Sequence, residues 1–309
     1  MTQLTSTARR HVRHHSLINR ERWWIHLIFI LLCAVYVIPM WMIFSTSITT
    51  QAELATTGFK ILPQKVDFEA YKILFESPQT IINAYKVTII TSVVSLVLYL
   101  LMGSMCAYAL SRKDFAWRYI LSFYLFFTML FGGGLVSTYL LNTKYLHLRN
   151  TYWALILPNL GNVWHVFLMR TYFQDIPESI LESATIDGAN DWQKYLLIVL
   201  PLAVPSLATI GLLNFVGYWN SWYSALLYIS EKSMRPLQYM LQIMLRNITE
   251  MKKAIQKGGD AAAMASVAKM PSEPLQMAMC IVAIGPVLLV FPFFQKYLSK
   301  GLLVGSVKG

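Results

Sequence analysis

Residues Glu182 to Ser206 read ESATIDGANDWQKYLLIVLPLAVPS. The stretch opens polar, passes through Asp187-Gly188, and becomes an apolar run broken by Pro201 and Pro205. Ile180 and Leu181 just upstream, with Ala184 and Ile186 inside it, supply apolar positions for packing, with short side chains at Ser183 and Ala184. Asp175 and Pro177 mark a helix start, because proline is tolerated in a first helical turn. Gly188 marks a stop in left-handed geometry, and Asn190 or Asp191 can cap the next helix, DWQKYLLIVLP. The spacing therefore predicts a short helix over about 176–188, a tight turn, and a second helix, all at the surface of a membrane. One acidic group with small neighbours suits docking into a cleft on another protein.

The surrounding composition sets the class. The chain has 309 residues, is 56% hydrophobic and only 13% charged, and its mean hydropathy is +0.49. Soluble domains carry about 25% charged residues, so this is an integral membrane protein. The net charge of +11 reads as basic segments flanking membrane spans, since no nucleic-acid-reading module is visible. Cys33, Cys106 and Cys280 sit singly in apolar runs and read as small buried hydrophobes. His11, His14 and His15 in the tail RRHVRHH fit no closed ligand set. That tail reads as solvated and in touch with anionic lipid.

Apolar runs of about twenty residues are expected at Trp23 to Ser47, Ala84 to Leu110, Tyr119 to Leu141, Thr151 to Tyr172, Ile198 to Ile229 and Leu275 to Tyr297. The third is interrupted by Gly132-Gly133-Gly134. The first run is too long for a cleaved signal sequence. The expected fold is all-α with six transmembrane helices, because helices satisfy backbone groups in lipid and no barrel-type alternation is present. Arg9, Arg10, Arg13, Arg20 and Arg22 precede the first span, and no Lys or Arg follows it until Lys60. The positive-inside bias then puts both termini in the cytoplasm of a bacterial inner-membrane protein. Residues 1–22 form a basic tail, 23–298 the membrane domain, 231–274 a long outer loop and 299–309 a terminal tail. The outer loop is unexpectedly basic, with Lys232, Arg235, Arg246, Lys252, Lys253, Lys257 and Lys269. Contact with a docked binding protein, attraction of an acidic substrate, and plain solvation all fit it.

Glu182-Ser183-Ala184, three residues, Gly188, nine residues, Ile198, one residue, Leu200-Pro201 resembles the EAA motif of ABC importer permeases. Ser183 in place of alanine is the single departure within it. AYALSRKDF (Ala107 to Phe115), FGGGLVSTYLL, NTYWALILPN, FVGYWNSWYSALLYI and PFFQKYLSKGLLVGSVKG are similar to maltose-permease-like subunits. The nearest branch serves complex and acidic oligosaccharides, including alginate and pectin fragments. Ser137 stands where that branch is expected to carry proline, and residues before about Arg22 fall outside the resemblance.

The resemblance implies a type I ABC importer permease fold. It implies a second, homologous permease, two ATPase subunits that bind ATP and Mg, and an extracytoplasmic substrate-binding protein. Glu182, Ser183, Ala184, Asp187, Gly188, Ile198, Leu200 and Pro201 would then form the element that couples to the ATPase. Gly305 and Ser306 in the tail KGLLVGSVKG would reach toward the ATPases. The chain itself has no phosphate-cradling GxxxxGK[ST] loop, which leaves it without its own cofactor and without hydrolytic activity. Tyr139, Trp219, Asn220, Trp222 and Tyr223 are the candidates for contact with sugar, with Trp164 and His165 behind them. An amino-acid or peptide permease of the same architecture is the alternative. An ion-coupled transporter is a further one, disfavoured because no Asp or Glu lies deep in a span.

Overall fold

The computed structural model describes residues 23–256 and 272–304. The basic tail before Trp23, Lys257, Lys269, Gly305 and Ser306 lie outside the described residues. Within them the chain is helical, and no β-strand is formed.

Three helices are long and apolar enough to cross a membrane unaided: α1 (Trp23–Ser47), α4 (Pro78–Ser111), and the stretch Glu273–Gln295 inside the last helix, α14 (Ser272–Val304). The last helix runs past the boundary expected at 298. Between them lie two short helices, α2 (Gln51–Thr57) and α3 (Glu69–Phe75). Glu53 of α2 ties down the connection, accepting backbone N–H bonds from Gln64 (2.8 Å) and Lys65 (3.1 Å).

The expected third span is a bent pair, α5 (Arg118–Leu130) and α6 (Gly134–Tyr145), which meet at 108°. Gly134 has φ +79°, a left-handed turn that glycine adopts without steric cost. The expected fourth span is split into α7 (Tyr152–Ile156), a 3-10 turn at Leu157–Asn159 and α8 (Val163–Gln174). Pro158 and Gly161 prevent a continuous helix there. α9 (Glu178–Ile186) follows. The expected fifth span is α10 (Asp191–Leu202) and α11 (Val204–Trp219), bent by 78°, then α12 (Tyr223–Tyr228). Pro201 and Pro205 flank that bend, where each removes a backbone donor. Among the described residues three unbroken helices, or five when each bent pair counts as one, are therefore long and apolar enough to span, where six spans were expected. α13 (Leu237–Gln256) completes the set.

α4 is the central post, packed against α8 and α11. Its buried side is built from Ala84, Thr88, Thr91, Ser92, Ser95, Gly103, Ser104 and Ala107. Small residues let helices approach closely in lipid, where a hydrophobic drive between helices is missing. A Cβ at Gly103 would stand 3.0 Å from Met169 Cε on α8. The breaks are closed by tyrosines. Tyr99 donates to the Asn162 carbonyl (2.8 Å) and Tyr218 to that of Ile156 (2.7 Å). Interrupted helices at membrane depth need such partners, because an unpaired carbonyl there costs several kcal/mol by order of magnitude.

Candidate functional site: the α9 lever and the cavity at the helix breaks

α9 begins after Pro177. Leu181 and Ala184 are buried, and Leu181 joins a cluster that includes Tyr195, Val199 and Phe173. Glu182 and Ser183 point outward, and Ile186 is 87% exposed. The helix ends as the glycine predicts. Gly188 has φ +83°, its N–H reaches the Thr185 carbonyl (3.0 Å), and Ala189 N–H reaches that of Ala184 (2.9 Å). This pair of bonds is a Schellman ending, which satisfies the last carbonyls within two residues. Asn190 restarts the chain. Its side chain accepts from Gln193 N–H (2.9 Å) while the Gln193 side chain accepts from Asn190 N–H (2.8 Å), a reciprocal capping box.

The second half of the motif fixes the lever to the bundle. Ile198 and Leu200 pack on the same core as Leu181, and Pro201 sits just before the 78° bend. Tyr195 bonds Ser104 of α4 (2.7 Å) and packs its ring 5.3 Å from that of Tyr108. Leu181 thus connects the back of α9 to α10 and, through Tyr195, to α4.

Beside the lever, Arg112 holds Asp114 with two bonds of 3.1 Å. That hydrogen bond keeps the Asp114 carboxyl below its ordinary value. Lys113 pairs with Glu178 at the start of α9.

A second feature lies where α7–α8 and α11–α12 are both broken. A cavity of about 300 Å³ is lined by Asn159, Asn162, His165, Asn214, Ser221 and Tyr223, among others. Asn214 is buried, and its Oδ1 has no hydrogen-bond partner among the described residues; the same holds for His165 Nδ1. Unpaired buried polar atoms are costly unless something completes them.

The structure separates the residues expected to meet sugar. Tyr223 reaches this cavity. Trp219 does not: it is 2% exposed, and its indole donates to the Ala283 carbonyl of α14 (2.9 Å). Asn220 spends its amide on the Val216 carbonyl (3.0 Å) and on Gln238 (3.1 Å). Trp222 is half-buried and meets Tyr223 edge-on, at 5.8 Å between ring centroids. Tyr139 stacks on Tyr228 at 5.8 Å, away from the cavity lining. Asn159, Asn162 and Asn214 were not anticipated. Amides inside otherwise apolar runs were the signal available for them.

Residues 99–304 match the family described as the binding-protein-dependent transport system inner membrane component. The chain belongs to this family. Membership makes it a multi-pass inner-membrane permease subunit that works with a substrate-binding protein and an ATPase. It is 39% identical to the polygalacturonan/rhamnogalacturonan transport system permease protein YtcP of Bacillus subtilis, across 92% of this chain and 95% of that one. It is 28% identical to the diacetylchitobiose uptake system permease protein NgcG of Streptomyces coelicolor, across 92% of this chain and 88% of that one. A crystal structure of a bacterial ABC transporter involved in the import of the acidic polysaccharide alginate superposes with a TM-score of 0.73. That match has 28% identity and covers 91% of this chain and 99% of that one. The expected permease fold is borne out.

Proposed function

We propose that this chain carries oligosaccharides, uronate-containing ones included, into the cytoplasm as one half of a heterodimeric permease. Two ATPases sit beneath it and a binding protein delivers substrate from above. α9 is the coupling helix. The observation that carries this reading is the division of α9 into a buried back, Leu181 and Ala184, and an exposed front, Glu182, Ser183 and Ile186. Glu182 pairs with a basic group in the ATPase socket, Ile186 fills an apolar part of it, and Gly188 sets the angle of exit. Closure of the ATPase dimer then rocks packed helices about a central path. The α9 end and both termini face the cytoplasm. The amide-lined cavity forms part of the path, with Asn214, His165 and Tyr223 meeting sugar hydroxyls. Relatives whose names record transport of pectic polymers and of diacetylchitobiose support a carbohydrate substrate, and the alginate importer supports an acidic one.

The test is recovery of the tagged chain in mild detergent together with uptake by whole cells. A second permease and an ATPase are expected to come with it, and Glu182→Lys is expected to release the ATPase while the permease pair stays intact. Uptake that is blocked by oligogalacturonate and untouched by neutral glucans places the substrate. A chain that purifies folded and alone would remove the coupling assignment.

A further inference from the structure

A cleft of about 540 Å³ opens between the end of α4, the start of α5 and the α8–α9 connection. Arg112, Lys113, Arg118 and Arg170 line it together with Asp175 and Glu178. Arg112 is matched by Asp114 and Lys113 by Glu178. Arg118 and Arg170 form no salt bridge among the described residues. Arg118 spends one N–H on the Tyr119 hydroxyl (2.7 Å) and lies 4.5 Å from the centre of that ring. Arg170 donates from one terminal nitrogen to Ser122 (3.1 Å), while its Nε is buried with no hydrogen-bond partner among the described residues. Guanidinium groups offer several donors in a planar fork suited to phosphate oxygens. Directly above, α5 shows no buried residue. Tyr119, Ile120 and Phe123 are all exposed. The cleft therefore marks the line where an apolar outer face meets a charged end of the bundle. Basic pockets at that level select anionic headgroups.

We propose that this cleft binds the phosphate group of an anionic ligand, from a membrane phospholipid or from free phosphate, through Arg118 and Arg170. The ligand meets the terminal N–H groups of Arg170 and braces the root of α9 against α5.

The test uses the full chain in lipid nanodiscs. Melting is followed in phosphatidylcholine alone, in phosphatidylcholine with phosphatidylglycerol, and in phosphatidylcholine with added inorganic phosphate. Lipid retained by the chain is read by native mass spectrometry. A rise in melting temperature with phosphatidylglycerol only assigns the site to the headgroup; a rise with phosphate in phosphatidylcholine assigns it to the free anion. Arg118→Gln is expected to weaken the effect by about tenfold in ligand concentration, the loss of one charge-assisted contact. Arg118→Lys keeps the charge but not the planar fork and should retain only part of the effect. Because among the described residues the Arg118 side chain bonds only its neighbour Tyr119, these variants test the site even where Arg170→Gln disturbs the fold. Equal melting in all three conditions, or an anion effect unchanged in Arg118→Gln, would overturn the proposal. So would loss of bound anion whenever the ATPase is present, since a protein carboxylate would then fill the cleft.

Discussion

Tyr195 and Ser104 share a buried 2.7 Å hydrogen bond that ties the helix behind the α9 lever to the central helix α4. The same tyrosine belongs to the cluster that holds Leu181 of α9. One side chain thus bridges the exposed lever and the post around which the bundle is built.

Tyr195→Phe removes that bond and keeps the packing. A buried hydrogen bond contributes about 0.5–1.5 kcal/mol, with about 0.6 the average between membrane helices. We expect a lower melting temperature in detergent and less substrate-stimulated ATP hydrolysis in the assembled complex. A double-mutant cycle with Ser104→Ala checks that the loss is shared by the two residues; additive effects would place the coupling elsewhere.

Gly188→Val forces a β-branched residue to φ +83°. Left-handed backbone costs an L-residue roughly 1–2 kcal/mol. The expected result is a chain that inserts and pairs normally yet retains less ATPase, because the Schellman ending that aims α9 is lost. Co-purification of the ATPase with the variant measures this directly.

Trp219→Phe and Asn214→Leu should part company. The first loses the indole bond to Ala283 and should lower thermal stability by about 1 kcal/mol, leaving the substrate concentration for half-maximal uptake unchanged. The second removes an amide that lines the cavity and should raise that concentration. Uptake kinetics of both variants, with melting curves beside them, separate a packing role from a path role.

The Glu53 carboxyl is held below its ordinary value, first by the hydrogen bond from Gln64 N–H and then by that from Lys65. A folded-state value below the unfolded one means the contribution is complete above the ordinary glutamate value, about 4.3. It is lost as pH falls through the folded value. Protection of the Gln64 and Lys65 amides, measured as hydrogen exchange relative to the intrinsic rate at each pH, should therefore fall on acidification, and Glu53→Gln should lower that protection at neutral pH as well.

Much of this molecule was legible in residues read in order. Low charge and long apolar runs placed it in a membrane, because burying charge in lipid is prohibitive. The end of α9 and the start of α10 were legible because caps are local: Gly188 and Asn190 act on backbone groups within a few residues of themselves. The interruptions at Gly132–Gly134, Pro201 and Pro205 were visible too, while Pro158 lay inside a run read as one span. Their angles were not. The bends of 108° and 78° depend on what each half-helix packs against. The unpaired carbonyls at the other breaks are met by Tyr99 and Tyr218, side chains more than sixty positions away. The cavity has the same origin. Asn159 and Asn214 face one space only because two separate breaks come together beside α4. The identical constraint turned Trp219 inward, where Ala283 of the last helix offers the acceptor its indole needs. Local chemistry determined where the chain stops and starts; satisfying buried polar groups over long range decided which side chains face the cavity.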